Sequence, residues 1–271
     1  VPAVVHTVHG WGFHEHMHPL LRGFYVWLER AMVPLSDRLV AVSHRTTDIG
    51  LTAAIGERSS YDMIRSGIPT ARFHPDADVG RSVRRSLDIG EDDIVIGSVG
   101  RLSPQKNPAD FVELARLVRE RSERATFVYV GDGPMRDEIF QLAREKGVGE
   151  HIRFLGIRHD VPDLLRAFDI FVLTSLWEGL PRVIPQALAT GVPVVAYNVS
   201  GIEEAIREGV NGHLVQPGAV RDAAQIVADL VIDDERRRAV SVRALETFDP
   251  AFTEDGMVES LETLYSSLLD V

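Results

Sequence analysis

The chain has 271 residues, a length that suits two ordinary domains or one large one. Hydrophobic residues make up 45% and charged residues 25%, values that exclude disordered, collagen-like and coiled-coil chains. The chain has no cysteine, which excludes disulfides, thiolate metal sites and a cysteine nucleophile. A net charge of −11 argues against broad nucleic-acid binding. With no apolar run of about 20 residues, we expect a cytoplasmic protein.

Positive charge is distributed unevenly along the chain. Of the 29 basic residues only two, Lys106 and Lys146, are lysines, and six of the ten histidines fall within the first 44 residues. Residues 1–66 are balanced in charge, so the excess of acidic residues lies in 67–271. An acidic protein that binds an anion must place its cations at the site. A basic residue inside a glycine-rich loop is therefore a candidate ligand.

Short β-branched runs alternate with stretches that have helical spacing of apolar residues. The runs predict strands at residues 3–8, 38–42, 94–99, 126–130, 170–173 and 193–196. The intervening stretches predict helices that include residues 111–118, 135–143, 161–167 and 223–231. Nearly continuous apolar strands alternating with amphipathic helices indicate parallel sheets covered on both faces, the doubly wound α/β class.

Breaks in the pattern predict the domain organisation. Residues 1–66 form part of one α/β domain, 67–92 a connection, and 93–247 a second α/β domain, and 248–271 contain a last helix that returns toward the first domain. Only two or three strands fit into residues 1–66, fewer than an independent sheet usually has. We therefore expect the first domain to be truncated.

The strongest candidate site lies in residues 97–108, Gly-Ser-Val-Gly-Arg-Leu-Ser-Pro-Gln-Lys-Asn-Pro. A buried strand ends and a helix begins there, and this edge of a parallel sheet binds ligands, with helix N–H groups directed at anions. Arg101 and Lys106 add two charges to the same loop. We interpret the segment as a phosphate-binding loop rather than a turn with two solvated cations. It is not a P-loop, whose pattern is absent.

Three further strand-to-helix junctions fall at the same predicted edge. Residues 174–181 read Thr-Ser-Leu-Trp-Glu-Gly-Leu-Pro, with Pro181 suited to a first helical turn. Glu178 there is either an acceptor for sugar hydroxyls or an acid that satisfies the helix dipole. Residues 130–134, Val-Gly-Asp-Gly-Pro, permit close backbone approach, and residues 154–158, Phe-Leu-Gly-Ile-Arg, could frame a nucleobase.

The histidines near the start of the chain are a further candidate. His9 comes directly after a predicted strand and before a Gly-x-Gly turn, where side chains enter an interdomain cleft. His14, His16 and His18 alternate and could chelate a metal, but no zinc-enzyme pattern accompanies them. We therefore predict no metal site and interpret these histidines as loop residues, with His9 the exception.

Taken in order, these segments resemble the retaining glycosyltransferase family 4, whose GT-B fold has two Rossmann-like domains facing a cleft. The resemblance covers nearly the whole chain, with the first domain incomplete. It is carried by His-Thr-Val-His-Gly at 6–10, Val-Ser at 42–43, Arg-Ser-Gly-Ile-Pro at 65–69, Gly-Arg-Leu-Ser-Pro-Gln-Lys-Asn at 100–107, Val-Gly-Asp-Gly-Pro at 130–134, Phe-Leu-Gly at 154–156, Glu-Gly-Leu-Pro at 178–181 and Ala-Leu-Ala-Thr-Gly-Val-Pro-Val-Val at 187–195.

This resemblance implies a bacterial enzyme of polysaccharide or glycolipid biosynthesis. It would move a sugar from a UDP- or GDP-linked donor to a saccharide or lipid-linked acceptor, with retention of configuration and without cofactor or metal. The implied catalytic residues are His9, Arg101, Lys106 and Glu178. The implied donor contacts are Gly10, Gly100, Gly131, Asp132, Gly133, Ile157, Arg158, Gly179, Leu180, Pro181 and Gln186. Gln186 stands where the family has a second glutamate, which makes the paired-acid pattern incomplete here.

Other functions remain open from the sequence. A nucleotide-sugar epimerase or a glycogen-type synthase would share the donor pocket. A donor-binding remnant without activity, or a partner subunit, would fit the short first domain. A dehydrogenase is disfavoured because no strand, Gly-x-Gly-x-x-Gly and helix unit occurs.

Two surfaces are candidates for association. Residues 20–32 carry Leu, Phe, Tyr and Trp together with Arg22 and Arg30, which suits either a face lying on the inner membrane surface or a helix that covers the sheet. The second is the open edge of an incomplete parallel sheet, which invites pairing with another copy of the chain.

Overall fold

The computed structural model describes residues 2–15 and 17–269. The chain divides into two compact units. The small unit comprises Val1–Pro69, Trp177–Arg182 and Asp249–Val271, and the large unit comprises Thr70–Leu176 and Val183–Phe248. The short segment Trp177–Arg182 thus belongs to a different unit from the residues on either side of it.

All strands pair in parallel, and helices connect them. The strands are β1 Val5–Val8, β2 Arg38–Ala41, β3 Tyr61–Met63, β4 Ile94–Val99, β5 Ala125–Val130, β6 Ile152–Phe154, β7 Ile170–Leu173, β8 Val194–Tyr197 and β9 Gly212–Val215. The α-helices are α1 Pro19–Met32, α2 His44–Thr52, α3 Ala77–Ser86, α4 Pro108–Arg119, α5 Arg136–Glu145, α6 Val161–Arg166, α7 Val183–Ala189, α8 Val220–Ile232, α9 Asp234–Glu246 and α10 Glu254–Leu269. The predicted α/β class with two parallel sheets is confirmed.

The large unit is built on a six-stranded sheet in the order β6-β5-β4-β7-β8-β9. This is the Rossmann order, in which the chain reverses direction across the sheet between β4 and β7. Every residue of β5, β7 and β8 is buried, as expected for strands covered by helices on both faces. The loops that follow β4, β5, β6 and β7 therefore leave one edge of a rigid sheet.

The small unit has a three-stranded sheet in the order β1-β2-β3, which matches the two or three strands expected from the sequence. One face is covered by α10, whose Leu264 is buried against Val40 and Ile64. A second cluster, formed by Phe13, Ala53 and Ile55, lies beneath α1.

Helix α1 has one face without a covering element in the described residues. The helix packs on the second cluster through Tyr25 and Val26, and none of its residues is buried. On the opposite side, Leu20 is 81% exposed and Trp27 61% exposed, and Phe24 lies between them in the same stripe. None of the described helices combines the length and the apolar character needed to cross a bilayer.

The structure differs locally from the predicted elements. Strands β3, β6 and β9 were not predicted as separate elements, because each has only three or four residues and a partly polar composition. Residues 67–92, predicted as a connection, contain α3, whose Gly80 comes so close to α6 that a Cβ there would lie 2.4 Å from the Arg166 carbonyl oxygen.

The predicted start of α7 is wrong. We expected Pro181 in its first turn, but the helix begins at Val183. The preceding residues pack in the small unit, where the Arg182 guanidinium donates to the Gly67 carbonyl at 2.8 Å, and this contact keeps them outside the helix. At the other end of the helix, Gly191 has a left-handed φ of 77°, which suits a C-terminal cap.

Candidate active site

Lys106 lies at the carboxyl end of β4, on the loop that leads into α4. Its methylene groups cross the backbone of Gly100, where an added Cβ would sit 3.4 Å from Lys106 Cγ and Cδ. The next residue, Asn107, caps α4 in the left-handed conformation with φ 45°. The lysine stem is therefore fixed above the strand end, with the N-terminus of a twelve-residue helix directly after it.

Arg101 lies on the same loop and is exposed. Within residues 2–15 and 17–269 its guanidinium has no hydrogen-bond or ion-pair partner. A planar guanidinium that is not engaged by a carboxylate can bind a phosphate through two parallel hydrogen bonds. Arg101 and Lys106 thus supply two cations at one strand end, as the sequence predicted.

The two glycines after β5 are required by backbone packing. A Cβ at Gly131 would lie 1.9 Å from the Gly100 carbonyl oxygen, and one at Gly133 would lie 2.3 Å from that of Leu102. Between them, Asp132 accepts from the Gly133 N–H at 2.8 Å. The close backbone approach that the sequence predicted is therefore made to the loop after β4, and it brings Asp132 to the strand end that carries Arg101.

The loop after β6 presents one exposed apolar residue and one paired cation. Ile157 is 73% exposed. Arg158 Nε donates to Asp160 Oδ1 at 2.8 Å, a hydrogen bond that raises the pKa of Arg158 and lowers that of Asp160. The loop is joined to the one after β5, because the Gly131 N–H donates to the Gly156 carbonyl at 2.8 Å. Ile157 can contact a flat ring, whereas Arg158 already has a carboxylate partner.

In the small unit, His9 and the segment 177–182 lie together. A Cβ on Gly179 would be 1.9 Å from the His9 carbonyl oxygen, so only glycine permits this contact. His9 is exposed, and its Nδ1 lies 3.2 Å from the Ser66 hydroxyl. The rings of His14 and Trp177 stack with centroids 4.4 Å apart. The structure therefore brings His9 and Gly10 to the segment that contains Glu178.

The remaining predicted donor contacts lie on either side of Arg182. Leu180 and Pro181 are buried in the small unit. Gln186 is half-buried on α7 of the large unit. Its amide can both donate and accept, as a ribose diol requires.

Metal binding finds no support in the described residues. They contain no group of three or more His, Asp or Glu side chains arranged to hold a metal ion. Of the three alternating histidines His14, His16 and His18, His16 lies outside the described residues.

The sequence reasoning missed residues that hold the Lys106 loop. Thr174 Oγ1 donates to the carbonyl oxygens of Lys106 and Asn107, both at 3.0 Å. The Tyr197 hydroxyl donates to Asp110 Oδ2 at 2.6 Å in a second, partly buried contact nearby. Thr174 and Tyr197 each directly follow a predicted strand, so the sequence indicates their place at this edge of the sheet, but it does not indicate their hydrogen-bond partners.

Comparison with curated proteins gives relatives that act on sugars. The chain is 29% identical over 274 residues to the Escherichia coli UDP-Gal:alpha-D-GlcNAc-diphosphoundecaprenol alpha-1,3-galactosyltransferase, with 99% of this chain and 70% of that protein covered. It is 30% identical over 203 residues to a Mycobacterium tuberculosis GDP-mannose-dependent alpha-(1-6)-phosphatidylinositol monomannoside mannosyltransferase, with 72% of this chain and 52% of that protein covered.

Comparison with solved structures supports the fold. The Anabaena protein HepE, crystallised with UDP and glucose, superposes with a TM-score of 0.88 at 24% identity, covering 98% of this chain and 72% of HepE. Its likeness and that of other glycosyltransferases establish the GT-B class of two Rossmann-like domains. The sequence model of the glycosyl transferases group 1 matches residues 81–247, from α3 through α9. The chain therefore belongs to the family of glycosyl transferases group 1.

Proposed function

We propose that this protein is a retaining glycosyltransferase of family 4, acting in bacterial polysaccharide or glycolipid biosynthesis. It transfers a sugar from a UDP- or GDP-linked donor to a saccharide or lipid-linked acceptor. The observation that carries the proposal is the loop after β4, where Lys106 is fixed over Gly100 and the guanidinium of Arg101 is exposed. Two cations at the carboxyl edge of a Rossmann-like sheet suit a diphosphate.

The chemistry separates charge, and the cations stabilise that separation. The bond between the anomeric carbon and the β-phosphate oxygen breaks, which leaves positive charge on the sugar and negative charge on the diphosphate. Arg101 and Lys106 neutralise the diphosphate, so no metal or other cofactor is needed. Their effect is larger in the transition state than in the ground state, because the charge develops there.

Retention follows if the acceptor attacks on the face that the diphosphate leaves. The acceptor oxygen forms the new bond to the anomeric carbon, and its proton passes to an oxygen of the departing diphosphate. His9 lies beside the reacting sugar, and Glu178 accepts hydrogen bonds from the sugar hydroxyls. Gly179 contributes its N–H, and the backbone contact between His9 and Gly179 supports a shared role for them.

The nucleotide and the acceptor are proposed by chemical class. The names of the two relatives include UDP-Gal and GDP-mannose as donors, together with a diphosphoundecaprenol and a phosphatidylinositol acceptor. Exposed Ile157 contacts the base, and Gln186 hydrogen-bonds the ribose. A lipid-linked acceptor suits a protein that lies on the inner membrane surface through the exposed stripe of Leu20, Phe24 and Trp27.

Self-association is the last element of the proposal. Strand β1 pairs with β2 alone among the described strands, and its other edge is open to a second copy of the chain.

A transfer assay tests the function. The chain is incubated with UDP- and GDP-sugars and with lipid-linked saccharides, and the product anomer is determined by NMR. We expect one nucleotide class to support transfer, with an α-linked donor giving an α-linked product. A β-linked product from the same donor would overturn retention, and the absence of binding to every nucleotide sugar would overturn the function.

A further inference from the structure

The loop that carries Lys106 is held by the end of the neighbouring strand β7. Three successive carbonyl oxygens accept hydrogen bonds from two residues there. The Leu176 N–H donates to the Gln105 carbonyl oxygen at 2.8 Å, and the single Thr174 hydroxyl hydrogen is shared between the carbonyl oxygens of Lys106 and Asn107, each 3.0 Å from Oγ1. Thr174 is buried, so water cannot replace its hydroxyl without entering the sheet edge. One side chain therefore contacts the peptide groups on both sides of Asn107.

A second tether reaches the same loop from β8. The Asn107 side-chain amide donates to Asp110 Oδ2 at 2.7 Å, and the Tyr197 hydroxyl donates to the same oxygen at 2.6 Å. Tyr197 is 1% exposed, and burial, together with its hydrogen bond to Asp110, raises the pKa of its phenol. The phenol therefore keeps its proton and remains a donor to Asp110.

The two tethers act on a backbone conformation that needs support. Asn107 has φ 45° and ψ 58°, the left-handed region, which a residue with a Cβ adopts at a cost. Such a conformation is stable in a folded protein when several surrounding contacts hold the residue in it. Here the contacts come from Thr174 through the carbonyl oxygen and from Tyr197 through Asp110. The direction in which Lys106 leaves the loop depends on this geometry.

We propose that Thr174 and Tyr197 are positioning residues for Lys106. They hold the Lys106–Asn107 peptide so that the lysine stem crosses Gly100 and its ammonium group meets the diphosphate. Neither residue needs to contact the donor. This inference rests on the proposed function, because it assigns Lys106 to the diphosphate.

A double-mutant cycle tests the inference. Binding of UDP and of GDP is measured by calorimetry for the wild type, Thr174→Val, Lys106→Ala and the double variant. The valine keeps the shape of threonine and removes the hydroxyl. We expect Thr174→Val to weaken binding of the preferred nucleotide roughly tenfold, the worth of about one buried hydrogen bond. In the Lys106→Ala background Thr174→Val causes no further loss of affinity, because Thr174 acts on the nucleotide only through the Lys106 side chain.

Matched variants separate positioning from general destabilisation. Thr174→Ser keeps the hydroxyl and restores wild-type affinity. Thr126→Val removes a buried hydroxyl from β5, where Thr126 donates to Asp93 at 3.2 Å, and leaves affinity unchanged. Tyr197→Phe weakens binding severalfold, whereas Tyr129→Phe, which changes a buried tyrosine of β5 in the same sheet, does not. Thermal unfolding shows whether each variant is folded at the temperature of the titration.

The outcomes distinguish this inference from the function on which it rests. If neither nucleotide binds the wild type, or if Lys106→Ala leaves affinity unchanged, the diphosphate role of Lys106 fails and the inference fails with it. If Lys106→Ala weakens binding but Thr174→Val and Tyr197→Phe do not, only the positioning inference is overturned. Equal losses for Thr174→Val with and without Lys106 overturn it as well.

Discussion

The large sheet and the small sheet of this protein differ in how fully they are covered. In the large unit every residue of β5, β7 and β8 is buried, and helices pack on the sheet. In the small unit β3 has no buried residue, and the same is true of α1. Strand ends anchored in a buried sheet can hold a cation in one place, whereas an exposed helix face is free to meet a surface. The covered large sheet is thus suited to hold ligand-binding side chains in fixed positions, and the exposed face of α1 is suited to contact an extended surface.

The largest effect is expected where two loops of the large unit touch. Gly131→Ala adds a Cβ within 1.9 Å of the Gly100 carbonyl oxygen at a φ of 139°. We expect unfolding free energy to fall by about 3 kcal/mol or more, since the backbone must shift. Urea denaturation measures the loss. Gly147→Ala, at φ 71° with no atom within 4 Å, is the control and costs about 1 kcal/mol. Equal losses would contradict the packing argument.

His9→Ala tests the proposed catalytic role of the small unit. We expect turnover to fall about 100-fold, the scale found when one hydrogen-bond donor to a reacting group is removed. Affinity for the nucleoside diphosphate stays unchanged, because His9 acts on the sugar. Steady-state kinetics and calorimetry give the two quantities. The exposed His44→Ala is the control. Wild-type turnover, or loss of nucleotide binding, would remove the proposed role of His9.

Lys106→Ala tests the loop of the large unit. We expect weaker binding of nucleoside diphosphate and nucleotide sugar alike by about 1.5–3 kcal/mol, the value of a charged hydrogen bond. Calorimetry measures both ligands. Lys146→Ala removes the other lysine of the chain, which pairs with Glu113 at 2.9 Å, and leaves affinity unchanged. If both variants lose the same affinity, net charge rather than position explains the effect.

Acid stability of the large unit depends on Glu113. Its hydrogen bond from Arg116, with a contribution from Lys146, lowers the pKa of Glu113 from 4.5 to about 2. Because the folded pKa is depressed, the stabilisation is present above pH 4.5 and is lost as the pH falls toward 2. Glu113→Gln removes this titration. The unfolding free energy of the wild type is therefore about 1–2 kcal/mol larger than that of the variant at pH 6. Urea denaturation at pH 6 and pH 2.5 compares them. A constant difference across this range would contradict the assignment.

The smallest effect on stability is expected at the exposed face of α1. Phe24→Ser combined with Trp27→Ser changes unfolding free energy by about 0.5 kcal/mol or less, because both side chains are exposed. We expect the same variant to lose association with anionic liposomes in flotation assays. Ile232→Ser, at an exposed apolar position of the large unit, keeps it. If the wild type does not float with liposomes, membrane contact by α1 is wrong.

Local patterns in the sequence were enough to predict much of the large sheet. Strands β4 and β7 have the predicted bounds, because β7 is a continuous apolar run and β4 begins with three β-branched residues and ends with a fourth. Strand β9 was missed because Gly212 and His213 interrupt its apolar character, although both are buried. Helix α3 was missed because its composition is polar and rich in arginine.

In the candidate site, too, some features could be predicted from the sequence and others could not. Arg101 and Lys106 could be placed from their loop, and His9 from its position after a strand. The packing of Gly179 on His9 joins residues that are far apart in sequence, as do the hydrogen bonds from Thr174 to the Lys106 loop. The spacing of apolar residues along the sequence does not predict such contacts, because they depend on which strand ends become neighbours in the sheet.

The three tryptophans of the chain, Trp11, Trp27 and Trp177, all belong to the small unit. Trp177 reaches it through the short segment that leaves the large unit, and its ring stacks on His14. Intrinsic tryptophan emission is thus a spectroscopic reporter confined to one half of the fold. Circular dichroism at the peptide wavelengths follows the helices of both halves. Recording the two signals on one sample during denaturation would reveal whether the halves melt together, without any attached dye.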